Sequence, residues 1–151
     1  MDYIIHFFQN RVLQTAALSW FVAQVIKIIL TLIKERKFDF TRLFGSGGMP
    51  SSHASFTVSL AIAIGYETSF SSIEFAIAMA FSLVVMYDAT GYRRSAGEQA
   101  AILNRIVETI GKENFSDTGK KLKELLGHTP FQVFAGAILS FVIAFFRHFY
   151  F

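Results

Sequence analysis

Two histidines and a set of lysines and arginines are the groups in this 151-residue sequence that could carry out a reaction. His53 ends the run GSGGMPSSH, and His128 lies in the short motif GHTP. One imidazole can attack phosphorus while a second protonates the leaving oxygen. Fixed cations can stabilise the charge of that transition state without a metal ion. The residue types therefore indicate a displacement reaction at a phosphate group.

The remaining polar residues suit phosphate binding. Lysine supplies positive charge, and arginine can donate two parallel hydrogen bonds to phosphoryl oxygens. Glycine lets backbone N–H groups approach an anion closely, and serine can cap a helix whose N-terminus favours negative charge. The candidate phosphate-binding residues are Lys27, Lys34, Arg93, Arg94, Gly48, Ser51 and Ser52.

Most of these residues also have a purely structural interpretation. Lys27 could extend to the membrane interface, Lys34 could only set topology, and the glycines could only form a turn. Asp88, near the end of an apolar stretch, is costly in lipid unless it is paired, so we expect it to contact Arg93 or Arg94. Two histidines with Asp88 and Glu98 could bind a metal, but no HxxxH or ExxH spacing supports this. No metal site is predicted.

The composition predicts an integral membrane protein. Apolar residues make up 53% of the chain, 18 residues are Phe, and charged residues reach only 17%, against about 25% in soluble domains. The absence of Cys excludes disulfides and thiolate chemistry. A spanning helix needs about 20 residues, and four apolar stretches approach or reach this length. The second of them, residues 51–66, is short. The four stretches are residues 12–33, 51–66, 73–92 and 131–146.

We therefore expect one all-α domain over residues 1–151, a polytopic membrane helix bundle of about four transmembrane helices. Residues 34–50 are predicted to form a loop. Residues 93–128 are predicted to form one or two amphipathic helices on the cytoplasmic face. The first apolar stripe comprises Ala96, Ala100, Leu103, Val107 and Ile110, and the second comprises Leu122, Leu125 and Leu126.

The distribution of charge predicts the orientation. Four spans place both termini on one side of the membrane and both polar segments on the other. Eleven cations fall on the polar-segment side and two on the other, which places the polar side in the cytoplasm. Without Lys34, Arg93 and Arg94 the balance is still eight to two. The eleven are Lys34, Arg36, Lys37, Arg42, Arg93, Arg94, Arg105, Lys112, Lys120, Lys121 and Lys123, and the two are Arg11 and Arg147.

Three motifs resemble the type 2 phosphatidic acid phosphatase superfamily, which includes the vanadium haloperoxidases. GHTPFQVFAG is similar to the last signature of that superfamily, and MPSSHAS is similar to its Pro-Ser-Gly-His signature. Lys27 is followed seven residues later by Lys34, where the superfamily has Arg-Pro. The chain is most similar to a small divergent bacterial and plastid branch with GGMPSSH and GHTP motifs. The likeness runs from Lys27 to Gly136.

The resemblance implies a role for each matching residue. His128 would be the nucleophile that forms a phosphohistidine, and His53 would be the general acid. Lys27, Lys34 and an arginine of the Arg93–Arg94 pair would clamp the phosphoryl oxygens. The pair departs from the superfamily pattern because it lies some thirty-four residues before His128 instead of close to it.

Gln132 is the second departure from the superfamily pattern. It stands where the superfamily has the acid that orients the nucleophilic histidine. An amide oxygen can accept a hydrogen bond from the imidazole but carries no charge. Asp88, at the same membrane depth, is a hypothetical substitute for that acid. Gln132 therefore also keeps open a non-catalytic interpretation of the chain.

The resemblance predicts a metal-independent lipid phosphatase without a cofactor, inhibited by vanadate. The substrate would be a phospholipid or isoprenoid phosphate, for example phosphatidylglycerophosphate or phosphatidic acid, in a bacterial inner membrane or a plastid-type membrane. No nucleic acid is expected as partner, and the short second span suggests a homo-oligomer. The alternative is a non-catalytic protein that binds anionic lipid or phosphate. Vanadium-dependent oxidation is a third, less favoured interpretation.

Overall fold

A computed structural model of the chain describes residues 2–35, 48–110 and 127–150. All regular structure in these three ranges is helical, which confirms the predicted all-α class. The six helices are α1 (Asp2–Gln9), α2 (Arg11–Glu35), α3 (Ser52–Glu67), α4 (Ile73–Thr90), α5 (Tyr92–Ile110) and α6 (Pro130–Tyr150).

Small polar residues start the helices of the bundle. The Asn10 Oδ1 atom accepts a hydrogen bond from the Leu13 N–H at the start of α2. Ser51 and Ser72 cap α3 and α4, and each hydroxyl accepts from a backbone N–H three residues later. Pro130 occupies the first position of α6, where its missing N–H would have no helical partner.

Three helical segments in the described ranges are long and apolar enough to cross a membrane. They are Arg11–Ile33, Pro130–Tyr150, and a third within Ile73–Thr109. The fourth expected span corresponds to α3, which has 16 residues and is about 24 Å long, less than the ~30 Å hydrocarbon core. At this length α3 needs local thinning of the bilayer to cross it, and it lies among the other helices, packed against α2, α4 and α6.

Hydroxyl groups join α3 to its neighbours. Ten of its 16 residues are buried. The Ser82 hydroxyl of α4 donates to the Thr57 carbonyl at 2.7 Å, and the Ser140 hydroxyl of α6 donates to the Ser55 carbonyl at 2.8 Å. Such bonds replace the hydrophobic effect, which cannot drive helix association inside lipid. They fix α3 as the central element of the bundle.

A glycine allows α6 to approach α3. A Cβ atom at Gly136 would lie 2.5 Å from the Ser51 carbonyl oxygen and 3.2 Å from the Ser55 hydroxyl. Only glycine fits this spacing without moving backbone, and the Ser55 hydroxyl donates to the Gly136 carbonyl at 3.2 Å. The first turns of α3 and α6 are thereby held side by side.

Helix α5 corresponds to the first predicted amphipathic helix. Among the described helices it contacts α4, and Leu103 and Val107 of its apolar stripe remain exposed. The second predicted amphipathic helix, with Leu122, Leu125 and Leu126, lies outside the described residues, as do residues 36–47 of the predicted loop. Helix α1, a short segment that contacts α2, was not predicted from the sequence.

Candidate active site

Three helices, α3, α4 and α6, bring the predicted catalytic residues to one end of the bundle. A turn at residues 68–72 reverses the chain between α3 and α4, so the start of α3 lies beside the end of α4. His53 is in the first turn of α3, and His128 lies two residues before α6. Their ring centroids are 6.4 Å apart, with the ring planes at 65°. Two rings at this distance can both contact one phosphate group.

Backbone hydrogen bonds fix the position of His128. Its N–H donates to the Ala89 carbonyl in the last turn of α4, at 3.0 Å. The Ser51 N–H donates to the Gln132 carbonyl, also at 3.0 Å. The segment before α6 is thus attached to both α3 and α4. The His128 side chain is only 1% exposed, so it is held within the protein and does not face acyl chains.

The Gln132 side chain determines which nitrogen of His128 carries the proton. The Thr129 N–H donates to Gln132 Oε1 at 3.1 Å, which identifies this end of the amide as oxygen. The same oxygen lies 3.3 Å from His128 Nδ1, so Nδ1 must be the protonated nitrogen. The lone pair is then on Nε2, a buried atom with no hydrogen-bond partner among the described residues.

The pKa of His128 is lowered from its ordinary value of 6.5. Burial is the largest cause because it disfavours the charged ring. The hydrogen bond to Gln132 acts in the opposite direction, the positive charges of Lys27 and His53 lower the pKa further, and the backbone of Gly48 raises it. The net result is a neutral imidazole at neutral pH, which is the form able to attack phosphorus.

Lys27 is buried beside the glycine-rich segment. Its side chain is 2% exposed although α2 is otherwise a spanning helix. Gly48 has φ = +85°, and a Cβ atom there would lie 3.1 Å from Lys27 Cγ. Glycine is needed at this position for its backbone conformation and because the chain passes over the lysine stem. A lysine enclosed in this way is not simply extending to the interface.

The two serines of the Pro-Ser-Ser-His motif have different surroundings. The Ser51 hydroxyl accepts from the Ala54 N–H, and the Ser51 N–H is bonded to Gln132, so both groups join protein segments. Ser52 lines a cavity together with His53. The first turn of α3 directs its N–H groups toward this end of the bundle, as helix N-termini do at anion sites.

A cavity of about 700 Å³ extends from His53 along the bundle between α2, α3 and α4. We call it the α2–α4 groove. Asp88 lines it at the same end as His53. Most of the other lining side chains are apolar or aromatic. The lining residues are Trp20, Ser52, His53, Phe56, Thr57, Phe81, Val84, Val85, Tyr87, Asp88 and Tyr92.

Three predicted phosphate-binding side chains lie outside the described part of the chain. The backbone of Lys34 is in the last turn of α2, and those of Arg93 and Arg94 are in the first turn of α5. The expected pairing of Asp88 with an arginine therefore stays a prediction. For the orientation of His128, the contact that the structure describes at Nδ1 comes from Gln132, whereas Asp88 lies beside His53 on the groove wall.

Charged and aromatic side chains of α2, α3 and α6 contact one another at the end of the bundle opposite His53 and His128. Arg147 of α6 donates to Gln14 of α2 at 2.6 Å, and His148 stacks on Tyr66 of α3 at a centroid distance of 4.2 Å. The end of α6 is thus beside the end of α3 and the start of α2. Within the described ranges, no three His, Asp or Glu residues cluster as metal ligands would.

The walls of the α2–α4 groove were not predicted from the sequence. Trp20 precedes Lys27 by seven residues, two helical turns, and Phe81 precedes Asp88 by the same interval. Heptad spacing from a charged residue in an apolar helix would have identified both. The close packing at Gly136 also has a sequence signal, because this glycine belongs to the last motif, but its contact with Ser51 does not.

Comparison with known proteins finds a matching family profile and a similar membrane protein. The profile of a family described as "Divergent PAP2 family" matches residues 8–143, a range that contains every candidate site residue. The chain is 39% identical over 138 residues to a Bacillus subtilis (strain 168) protein described as "Uncharacterized membrane protein YuiD". That alignment covers 82% of this chain and 87% of the relative. No solved structure matches the chain significantly.

Proposed function

Because the chain belongs to the Divergent PAP2 family, we propose that it hydrolyses a phosphomonoester or pyrophosphate on a membrane lipid through a phosphohistidine at His128. The observation that carries this proposal is the state of His128. The ring is buried and neutral, Gln132 holds the proton on Nδ1, and the Nε2 lone pair is unbonded among the described residues. A second imidazole lies 6.4 Å away.

The first step forms a bond between His128 Nε2 and phosphorus. The bond from phosphorus to the lipid oxygen breaks, and its electron pair stays on that oxygen. His53 donates a proton to the oxygen, so the lipid alcohol leaves uncharged. As the ring becomes cationic, its Nδ1–H bond to Gln132 strengthens. Asp88, beside His53 on the groove wall, is proposed to orient the acid.

The second step regenerates the enzyme. A water molecule attacks the phosphorus, His53 accepts its proton, and the bond between phosphorus and Nε2 breaks to release inorganic phosphate. Lys27 is proposed to neutralise a non-bridging oxygen in both steps, together with the N–H groups at the start of α3. Lys34, Arg93 and Arg94 are proposed to complete the clamp. No cofactor enters this scheme, and vanadate should inhibit as a transition-state analogue.

The site is proposed to face the cytoplasm. The charge balance of the sequence supports this orientation, and Arg11 and Arg147 lie at the end opposite His128. Phosphatidylglycerophosphate, phosphatidic acid and isoprenoid phosphates are the candidate substrates. The chain has no Cys, so single cysteines at Thr129 and Ser71 can be labelled with an impermeant maleimide in intact cells. Labelling of a cysteine at the Thr129 position in intact cells would place the site on the non-cytoplasmic side of the membrane.

Direct assays with lipid phosphates in vesicles test the reaction. His128→Ala should abolish phosphate release, and His53→Ala should lower it about 10²- to 10⁴-fold, the usual contribution of a general acid. His148→Ala, at the other end of the bundle, is the matched control and should keep full activity. The phosphohistidine should be trapped in the parent and absent from His128→Ala. Equal release by His128→Ala and the parent would refute the mechanism.

A second candidate function follows from Gln132. An uncharged amide stabilises the cationic ring less than a carboxylate does, so the same pocket could bind a lipid phosphate without cleaving it. Phosphate release that persists with EDTA and stops with vanadate would distinguish the enzyme from the binder. Binding without release for every lipid phosphate tested would favour the binder.

A further inference from the structure

The α2–α4 groove has one polar end and one apolar end. His53, Ser52 and Asp88 lie where the groove meets the site, and Phe56, Phe81, Val84 and Val85 line its length. The Thr57 hydroxyl on the wall donates to the His53 carbonyl at 3.0 Å, so its one donor is used within α3. The groove therefore presents an apolar surface that leads directly to the proposed general acid.

Helix geometry gives the length of the groove. Trp20 on α2 is seven residues from Lys27, and Phe81 on α4 is seven residues from Asp88. At a rise of 1.5 Å per residue, both aromatic side chains lie about 10 Å from the level of the site. An extended hydrocarbon chain advances about 1.25 Å per carbon, given its ~1.5 Å bonds and tetrahedral angles. The groove thus accommodates about eight carbons before it reaches Trp20 and Phe81.

The surroundings of the groove determine what can occupy it. Its α4 wall belongs to a helix of spanning length, and Phe81 and Val84 are 54% and 66% exposed, so this side faces the hydrocarbon layer. A water-soluble phosphate ester would leave the apolar walls uncovered. An ordinary bilayer lipid would cover the walls but would place no phosphate monoester near His53. A lipid with a terminal phosphate would cover the apolar walls and also place a phosphate monoester near His53.

We propose that the α2–α4 groove holds one hydrocarbon chain of the phosphorylated lipid, and that Trp20 and Phe81 contact this chain about eight carbons from its head group. The proposal rests on the proposed function for the identity of the head group. It assigns to these two residues a role in chain specificity that the phosphate-binding residues do not have.

Trp20 is the only tryptophan in the chain, which makes it a direct reporter. The experiment uses the full-length protein in phosphatidylcholine vesicles and phosphatidic acids brominated near the head group, near about carbon 8, or at the chain end. Bromine quenches tryptophan only at close range. Quenching should be greatest for bromine near carbon 8 and should exceed that from identically brominated phosphatidylcholine at the same mole fraction. Equal quenching by the two lipids would overturn the proposal.

A pair of variants on α4 tests the groove without adding a tryptophan. Val84→Phe fills the groove and should remove the excess quenching. Leu83→Phe is the matched control, since Leu83 is equally apolar, 56% exposed, and absent from the groove lining. It should behave as the parent. Identical quenching profiles for the two variants would contradict the proposal. If Val84→Phe does not fold, the quenching profile of the parent protein alone tests the proposal.

Phosphate release measured on the same samples separates this inference from the proposed function. Release without excess quenching would leave the phosphatase and eliminate the chain site. Excess quenching without release from any lipid phosphate would leave the chain site and eliminate the phosphatase. For active protein, Val84→Phe should lower kcat/KM for long-chain substrates about fivefold or more, as overpacking of a filled site does, and should spare chains of about four carbons.

Discussion

Gln132→Glu places a carboxylate where the structure has an amide, with the same number of non-hydrogen side-chain atoms. The Gln132 oxygen already accepts from the Thr129 N–H and lies 3.3 Å from His128 Nδ1. A carboxylate oxygen can accept both bonds, so the geometry of the site should be unchanged. Only the charge beside His128 differs, and a negative charge favours the protonated ring. The pKa of His128 should therefore rise.

The size of the shift can be worked out from the distance. At 3.3 Å and an effective dielectric of about 20, the gross attraction between a carboxylate and an imidazolium is about 5 kcal/mol. The carboxylate loses part of its own hydration in this buried site, which offsets much of the attraction. A net rise of about one to two pKa units is consistent with measured pairs of this kind.

The assay is the pH dependence of kcat/KM for a lipid phosphate, whose acid limb reports the ionisation of the free nucleophile. In the parent this limb should lie below pH 6.5, since the pKa of His128 is lowered. Histidine-selective NMR provides a second readout that needs no activity, because the chain has only four histidines. Phe131→Glu adds the same charge at an exposed position of the same helical turn and should leave the limb in place.

An acid limb that stays in place or moves to lower pH in Gln132→Glu would show that Gln132 does not hold the Nδ1 proton. The same conclusion would follow if Phe131→Glu gave an equal shift, because the effect would then be a general one of added charge. Gln132→Met should lower kcat without raising the pKa, since it removes the acceptor and keeps the side-chain length.

Other side chains give further predictions. Lys27→Met should lower kcat/KM for a lipid phosphate in vesicles at least about 10²-fold, as loss of a transition-state donor does. Gly136→Ala should destabilise the protein by about 1–3 kcal/mol because its Cβ would meet the Ser51 carbonyl at 2.5 Å; an unchanged unfolding midpoint would contradict this packing. Stability should fall as pH drops below 6.5 towards the lowered folded-state pKa of His128, because the unfolded chain then binds more protons there. Thermal scans of His128→Gln should show a shallower pH dependence.

The sequence predicted the helices from features that act locally. Apolar stretches predicted α2, α4 and α6, and the serines before His53 predicted the start of α3. The central position of α3 was not predicted, because apolar and small polar residues occur on every face of this helix and no single face indicates where its neighbours lie. What places it centrally is a set of hydroxyl-to-carbonyl bonds between residues far apart in the sequence, such as Ser140 with Ser55.

The candidate site was predictable where one residue type implies one chemistry. A lysine two turns inside a spanning helix needs an enclosed polar site, and Lys27 is buried against Gly48. The role of Gln132 could be inferred only as a departure from a motif, since its contact with Nδ1 depends on how the segment before α6 is attached to Ala89. The groove required the relative positions of three helices, which no local pattern contains.

The shortness and hydroxyl content of α3 bear on how the chain enters the bilayer. A 16-residue segment with Ser52, Ser55, Thr57 and Ser59 buried in the fold would be a poor candidate for insertion by itself. The Ser55 hydroxyl donates to the Gly136 carbonyl of α6, and the Thr57 carbonyl accepts from the Ser82 hydroxyl of α4. Both partner helices are synthesised later. We therefore expect α3 to remain near the translocon until those helices emerge. Truncation after residue 67 should leave it unintegrated, whereas the chain extended through α6 should integrate it fully.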